Sequence, residues 1–448
     1  MSAAAGPPPA AGPPATAVQP AVDGGLIASL RGLDGDGRGL FALRTLRMFG
    51  YGFLAVALVL YLVALGLDAL TVGIVLSLTL IGDTLLSLWL TTHADRIGRR
   101  KILVAGSLLM VLAGAVFAVT DWVPLLILAA TIGVISPTGN EVGPFLAIEQ
   151  AALSQIVPDE RRTATFAWYN LVGYVATATG ALAAGLLSQM LLDRGVAPVD
   201  AYRAIVIGYA VIGLAMAFGF GRLGDTVEAP PRETRSDAIR VVLGLHRSRR
   251  VVLRLSALFS IDAFGGGFIP QSLMAYWFHV KFGVEPAVLG AIFFGANLLA
   301  AVSSLSAARI ASRIGLINTM VFTHLPSNVL LILVPLMPNL PLAIAVLLLR
   351  FSLSQMDVPT RQSYVISVVD PDERSAAAGV TGIARTTGAA ISPSISSVLI
   401  ANPSLISLPF YLAGGFKILY DLLLYRDFRS TARLGASATP TTPTPPRA

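Results

Sequence analysis

Cysteine is absent from the 448 residues, and histidine occurs only four times. The first absence removes disulfides, thiolate metal sites and thiol nucleophiles together. His93, His279 and His324 have no ligand spacing to another histidine, so no metal site and no cofactor is expected. Charge is scarce as well: Asp, Glu, Lys and Arg make up 13% of the chain against 55% hydrophobic residues, with a mean hydropathy of +0.74. So few charges cannot clothe a soluble surface, and the solvent for most of the chain is lipid. No G-x-x-x-x-G-K-S/T run is present, which argues against ATP as a direct energy source. Gly219-Phe220-Gly221-Arg222-Leu223-Gly224 has the letters of a dinucleotide fingerprint, but it closes an apolar helix and follows no strand. No nucleophile, base and orienting group can be assembled, so an enzyme is not expected.

What is present is a recurring apolar run of about 20 residues, the span of a hydrocarbon core. Twelve such segments start near Leu40, Leu70, Ile102, Pro124, Thr165, Tyr202, Val251, Pro286, Leu316, Pro341, Ala376 and Ser404. They divide into a first bundle (residues 38–222) and a second (251–425), joined by a charged linker (223–250) that carries Pro230-Pro231 and many arginines. Residues 1–37 and 426–448 read as disordered tails, and the first of these has no secretory signal. The net charge of +7 suggests nucleic acid only until the arginines are located. They lie between apolar runs, where they set orientation, so no nucleic-acid partner is expected. Connections after even-numbered segments carry Arg96, Arg99, Arg100, Lys101, Arg161, Arg162, Arg309, Arg313 and Arg374, whereas odd-numbered ones carry little beyond Arg194, Arg203 and Lys281. Both termini are therefore expected on the cytoplasmic side of a multi-pass cell-membrane protein.

The two halves repeat each other. Pro158-Asp159-Glu160-Arg161 after segment 4 recurs as Pro371-Asp372-Glu373-Arg374 after segment 10, and Arg96-Ile97-Gly98 recurs as Arg313-Ile314-Gly315. A parallel repeat of six spans is a common transporter plan. Together with Asp95-Arg96-x-Gly98-Arg99-Arg100 between segments 2 and 3, this pattern resembles the major facilitator superfamily over about residues 38–425. The leading glycine of that family's loop signature is Thr91 here. The resemblance implies an all-α membrane protein of twelve helices, in two six-helix halves related by a pseudo-two-fold axis, with helices 1, 4, 7 and 10 lining a cavity. It also implies that Asp95, Arg96, Gly98, Arg99 and Arg100 act as a latch holding the outward-facing state. By topology, Glu149 is the nearest carboxylate for Arg99.

Charges within the segments are the stronger clue, since each costs about 2.5–3.5 kcal/mol at a helix centre on insertion scales and should be paired or wet. Asp83 lies near the midplane of segment 2, and Asp262 at similar depth in segment 7, just before Gly265-Gly266-Gly267 and Pro270. Asn140 and Glu141 sit among Pro137, Gly139, Gly143 and Pro144 in segment 4, while Asp357 precedes Pro359 in segment 10. Interrupted helices at matching places in two repeats point to a transport site. Asp83, Asn140, Glu141, Asp262, Asp357, Arg350, Arg361 and Tyr51 are accordingly the cavity candidates. The i,i+4 spacing of Asp357 and Arg361 allows a neutralised pair, leaving Glu141, with no basic residue nearby in its own segment, or Asp83 as proton carrier. A gate bridge between Asp83 and Arg385 is a further expectation. His324 reads as a structural hydrogen-bond partner.

These features favour a monomeric secondary active transporter that moves a small solute by alternating access, with proton-coupled export as the first expectation. Uptake or exchange of an organic anion, motivated by Arg350, Arg361 and Arg385, is the alternative; a non-transporting membrane sensor is the third. The partners are then a small molecule, protons and the bilayer.

Overall fold

In the computed structural model, residues 32–229, 247–370 and 373–436 are described, and they are helical with short connections. The first half comprises α1 (Gly35–Ala64), α2 (Ala69–Ile97), α3 (Arg99–Val119), α4 (Val123–Ile132), α5 (Phe145–Ile156), α6 (Asp159–Asp193) and α7 (Pro198–Gly221). The second comprises α8 (Arg249–Gly267), α9 (Gln271–Phe282), α10 (Pro286–Ile314), α11 (Leu316–Leu333), α12 (Leu340–Ser354), α13 (Asp357–Ser367), α14 (Arg374–Ala401) and α15 (Leu408–Ala436). Three crossings are broken: α4 and α5 form span 4, α8 and α9 span 7, and α12 and α13 span 10. The result is twelve spans in two six-helix halves. Among the described residues, nine helical stretches are long and apolar enough to cross a membrane. Three spans miss that standard: span 4, whose two short helices are separated by residues 133–144, α14, which is rich in Ser, Thr and Gly, and α15, which carries Lys417 and Asp421 in its interior.

Local chemistry sets the helix ends. Asp34 accepts the Gly37 N–H at 2.7 Å, and Asp68 accepts the Thr71 N–H at 3.0 Å and its hydroxyl at 2.7 Å. These donors hold the Asp68 carboxyl below its usual range. At the reversals between α2 and α3 and between α10 and α11, Gly98 (φ +110°) and Gly315 (φ +84°) take backbone conformations that favour glycine. The repeated Arg-Ile-Gly is thus one turn used twice.

The ends of the chain differ from expectation. Helix α1 begins at Gly35, inside the stretch read as a tail, and α15 continues past Arg426 to Ala436. The rest of both expected tails and residues 230–246 of the linker lie outside the described residues.

The bundle has two faces: one carries the linker ends and the Gly98 and Gly315 turns, the other the connections near Leu67, Gly283 and Asn402. The halves meet closely toward this second face. A Cβ at Gly73 would lie 2.5 Å from the Ser394 Cα, and one at Gly185 would lie 2.4 Å from the Pro286 carbonyl oxygen. Only glycine admits such backbone approach between α2 and α14 and between α6 and α10. Ser77 and Ser394 hydroxyls are 2.7 Å apart, and Ser77 also accepts the Ser394 N–H at 3.2 Å. One continuous apolar core includes Leu58 and Tyr61 of the first half with Trp277, Phe278 and Phe293 of the second. The core of the second half near the linker, around Leu255, Phe259, Met320 and Leu424, is a separate cluster.

Because the chain has no other thiol, the double variant Ser77→Cys/Ser394→Cys is expected to form one cross-link on mild oxidation. After proteolysis in the linker, the two halves should then migrate together on a non-reducing gel. Free halves would contradict the contact.

Candidate transport site

Each half holds one buried charge cluster, and each cluster lies beside a helix break. In the first half, Arg44 and Arg47 sit three residues apart on α1 and so share a face. The fully buried Arg47 makes a two-pronged pair with Glu149, whose Oε2 is 2.7 Å from Nη2, and its Nε donates to Glu141 at 2.9 Å. Arg44 completes the group, with Nη1 3.0 Å from Glu141 Oε2 and Nε donating to the Tyr169 carbonyl at 2.9 Å. The Tyr169 hydroxyl donates to Glu149 at 2.6 Å, and the Arg44 guanidinium lies 4.4 Å from the Tyr169 ring centre. Two carboxylates are thus matched by two guanidinium groups, with the two-pronged geometry that offsets desolvation made by Arg47 on Glu149 alone.

Glu141 stands in the non-helical stretch between α4 and α5, where Gly139 (φ +70°) and Gly143 (φ +80°) turn the chain. The same stretch presents the Gly143 N–H to Asp83 at 2.5 Å and the Val142 carbonyl to the Tyr51 hydroxyl at 3.1 Å. Asp83 also accepts the Ser87 hydroxyl at 3.2 Å, and it makes no ion pair among the described residues. Asn140 is exposed, and its carbonyl accepts the Ser136 hydroxyl at 2.7 Å.

The second cluster centres on Asp262, just before the α8–α9 break. Its Oδ1 is 2.7 Å from Lys417 Nζ, while Oδ2 is 3.2 Å from Arg385 Nη1 and 3.4 Å from Arg361 Nη1. Arg361 also binds Asp357 at 2.7 Å across the first turn of α13. His324 Nδ1 lies 2.9 Å from Asp421, which accepts the Asn328 side-chain amide at 2.9 Å. Arg350, on α12, is the exception. It is buried, it makes no ion pair among the described residues, and its Nε has no hydrogen-bond partner.

The halves touch between the clusters as well. The Ser272 N–H at the start of α9 donates to the Pro137 carbonyl at 3.1 Å, so the loosened parts of spans 4 and 7 meet.

Several expectations are corrected by this geometry. Glu149 faces Arg47 and Tyr169 rather than Arg99, because its side of α5 packs onto α1. Arg99 instead pairs with Asp95 at 2.9 Å, and its N–H donates to Glu228 at 2.7 Å. Arg100 donates to the Leu223 carbonyl at 2.8 Å, which ties the hairpin to the start of the linker. Arg96, at the end of α2, is exposed and joins none of these contacts. Asp83 and Arg385 do not form a bridge: one binds a backbone amide, the other Asp262. Glu141 is not free of basic neighbours, since Arg44 and Arg47 reach it from another span.

The sequence reading did not weigh Arg44, Arg47, Lys417 or Asp421. Their signal was present as charge inside apolar segments, the same signal that singled out Asp83 and Asp262. Asp357 and Arg361 do pair, and His324 is hydrogen-bonded within a buried network.

Broken spans, a two-fold arrangement of bundles and buried charge beside the breaks define a membrane transporter rather than an enzyme. The model of the Major Facilitator Superfamily matches residues 40–393, and the chain belongs to that family. An uncharacterized membrane protein of Saccharomyces cerevisiae, YJR124C, is 30% identical over 413 residues, covering 86% of this chain and 92% of the yeast protein. Among solved structures, the D-xylose–proton symporter aligns with a TM-score of 0.68 at 14% identity, over 87% of this chain and 97% of its own. The nucleoside transporter NupG gives 0.67 at 14% identity over 88% and 100%, and the human organic anion transporter MFSD10 gives 0.59 at 15% over 88% and 99%. Three different cargoes on one fold mean that the fold does not identify the solute.

Arg47→Ala should strand Glu149 in an apolar interior. The expected loss is about 3–5 kcal/mol, read as a fall in Tm of the purified protein. The double variant Arg47→Leu/Glu149→Leu should recover most of it, and an unchanged Tm for the single variant would contradict the buried pairing.

Proposed function

We propose that this chain carries a small organic anion across a membrane by alternating access between its two halves. Arg350 is the observation that carries the reading. A buried guanidinium with no carboxylate in ion-pair contact among the described residues is costly in an apolar bundle, unlike its neighbours Arg361, Arg385 and Lys417, which all have acidic partners in contact. An anionic solute entering between the halves supplies the missing charge. Arg385, whose side chain is 33% exposed, is the member of the cluster that such a solute meets first.

The arginine-rich connections put the linker face in the cytoplasm, with both termini on that side, in a cell membrane. The close contacts then lie on the outer side, which supports an inward-facing conformer. The hairpin supports this: Asp95 and Arg99 pair with each other and Arg99 and Arg100 with the linker start, rather than bridging to the second half. Gly379 and Gly382, near the cytoplasmic end of α14, have open space where a Cβ would stand.

Proton coupling, the first expectation from the sequence, rests on a narrower base. Glu141, Asp262 and Asp357 are held by cations: protonating Glu141 or Asp262 would leave Arg44 or Lys417 unpaired, and protonating Asp357 would leave Arg361 only its longer 3.4 Å contact to Asp262. Asp83, bound by the Gly143 amide and the Ser87 hydroxyl, is a carboxylate within a span whose charge can change without breaking an ion pair among the described residues. We assign it as the coupling group if flux responds to a proton gradient. Export or uptake then follows from the gradients of the anion and the proton.

Arg350→Gln separates binding from folding. Removing a buried unpaired cation should leave Tm unchanged or raised, while stabilisation of the purified protein by a panel of small carboxylates and phosphates should fall about 10- to 100-fold in apparent affinity. Flux of the best ligand in proteoliposomes should fall in parallel. Undiminished anion binding by Arg350→Gln would overturn the reading.

A further inference from the structure

A cavity of about 530 Å³ opens on the face opposite the linker, and neither charge cluster contributes to its walls. Its walls come from both halves: Leu60, Val63 and Leu192 on one side, Tyr276, Val280 and Pro286 on the other. The volume is that of a small-molecule site, and the lining is mostly apolar with Gln189, Tyr202, Tyr276, His279 and Glu285 as its polar members. No Lys or Arg lines it. Lys281, next in sequence to Val280, turns away and donates to the Pro335 carbonyl at 2.6 Å. The one charged lining residue is Glu285, exposed at the rim and without an ion pair among the described residues. His279 also lines the cavity, with Nδ1 2.9 Å from the Val284 carbonyl, so its Nε2 is the ring nitrogen left for a ligand. The Tyr202 and Tyr276 rings add faces that attract cations.

We infer that this seam binds an amphipathic organic cation, an ammonium group on an aromatic or alkyl body, with Glu285 taking the charge and the Leu60–Val63–Val280 floor taking the body. Charge complementarity singles out the cation: a carboxylate there would face Glu285 with no compensating arginine. The site spans two bodies that must part when the transporter opens toward this face. Its ligand therefore holds the present conformer and acts as an inhibitor rather than as cargo. The site is independent of the anion reading, which concerns Arg350 near the middle of span 10.

The test uses the purified full chain with 3,3-diphenylpropylamine and its uncharged analogue 3,3-diphenylpropanol as probes. The amine should raise Tm in a dose-dependent way and the alcohol should do so at least tenfold more weakly. Glu285→Gln, a change at an exposed side chain, should reduce amine affinity at least tenfold, and Val280→Trp, which fills the cavity, should abolish binding. Oxidised Ser77→Cys/Ser394→Cys protein, held closed at this face, should bind the amine as well as or better than its reduced form. Equal binding of amine and alcohol, no binding at all, or an affinity that responds to Arg350→Gln but not to Glu285→Gln would overturn the inference. The last result would place the amine in the central site.

Discussion

An ion placed inside an apolar bundle must find a counter-ion, and nearly everything distinctive about this molecule follows from how that demand is met. Arg44 and Arg47 of span 1 cross to Glu141 and Glu149 of span 4, while Lys417, Arg385 and Arg361 converge from three spans on Asp262. Each bond joins helices that have little other polar reason to take one rotation rather than another. The pairs fix registry, at the expense of desolvation that a purely apolar contact would not incur. They also sit beside the three helix breaks, where backbone groups freed from the helix find partners such as Asp83 and Tyr51.

The same rule separates what holds the structure from what the structure can bind. Matched charges are already satisfied and offer little to a solute. Arg350 is unmatched, and it lies on the helix whose partner in the other half bears Glu141. Glycine at Gly73 and Gly185 lets the backbones of the halves touch toward the face away from the linker, and among the described residues no comparable core joins them at the linker end. Tight closure at one end and separate packing at the other are the two conditions a rocking carrier needs in any one of its states.

Much of the architecture was legible in the chain, for identifiable reasons. Apolar runs of bilayer length mark spans whatever they touch, and Gly98 and Gly315 betray the repeat because only one backbone conformation makes that turn. The breaks in spans 4, 7 and 10 were visible as Gly and Pro clusters. Asp357 and Arg361 could be paired because they belong to one helix, where spacing is geometry. Partners on different helices could not be read, since helix rotation is set by packing: Glu141 was taken as unaccompanied while Arg47 stood about 90 residues upstream, and Glu149 was assigned to the wrong arginine. Arg44 and Arg47 lie only a few residues inside the start of span 1, where sequence alone does not separate a buried cation from one at the membrane surface. In space they are deep enough to be dry.

The central claim is that the halves rock about these clusters. Double electron–electron resonance on spin-labelled cysteine pairs, in a chain that has no native thiol to remove, measures it directly. One pair, Ile97→Cys with Gly379→Cys, reports the linker ends of spans 2 and 11; the other, Leu70→Cys with Leu405→Cys, reports the opposite face. On addition of a transported anion in lipid nanodiscs, the first distance distribution should gain a shorter population as the second gains a longer one. Distances that stay fixed at both faces, or that move in the same sense, would contradict alternating access in this protein.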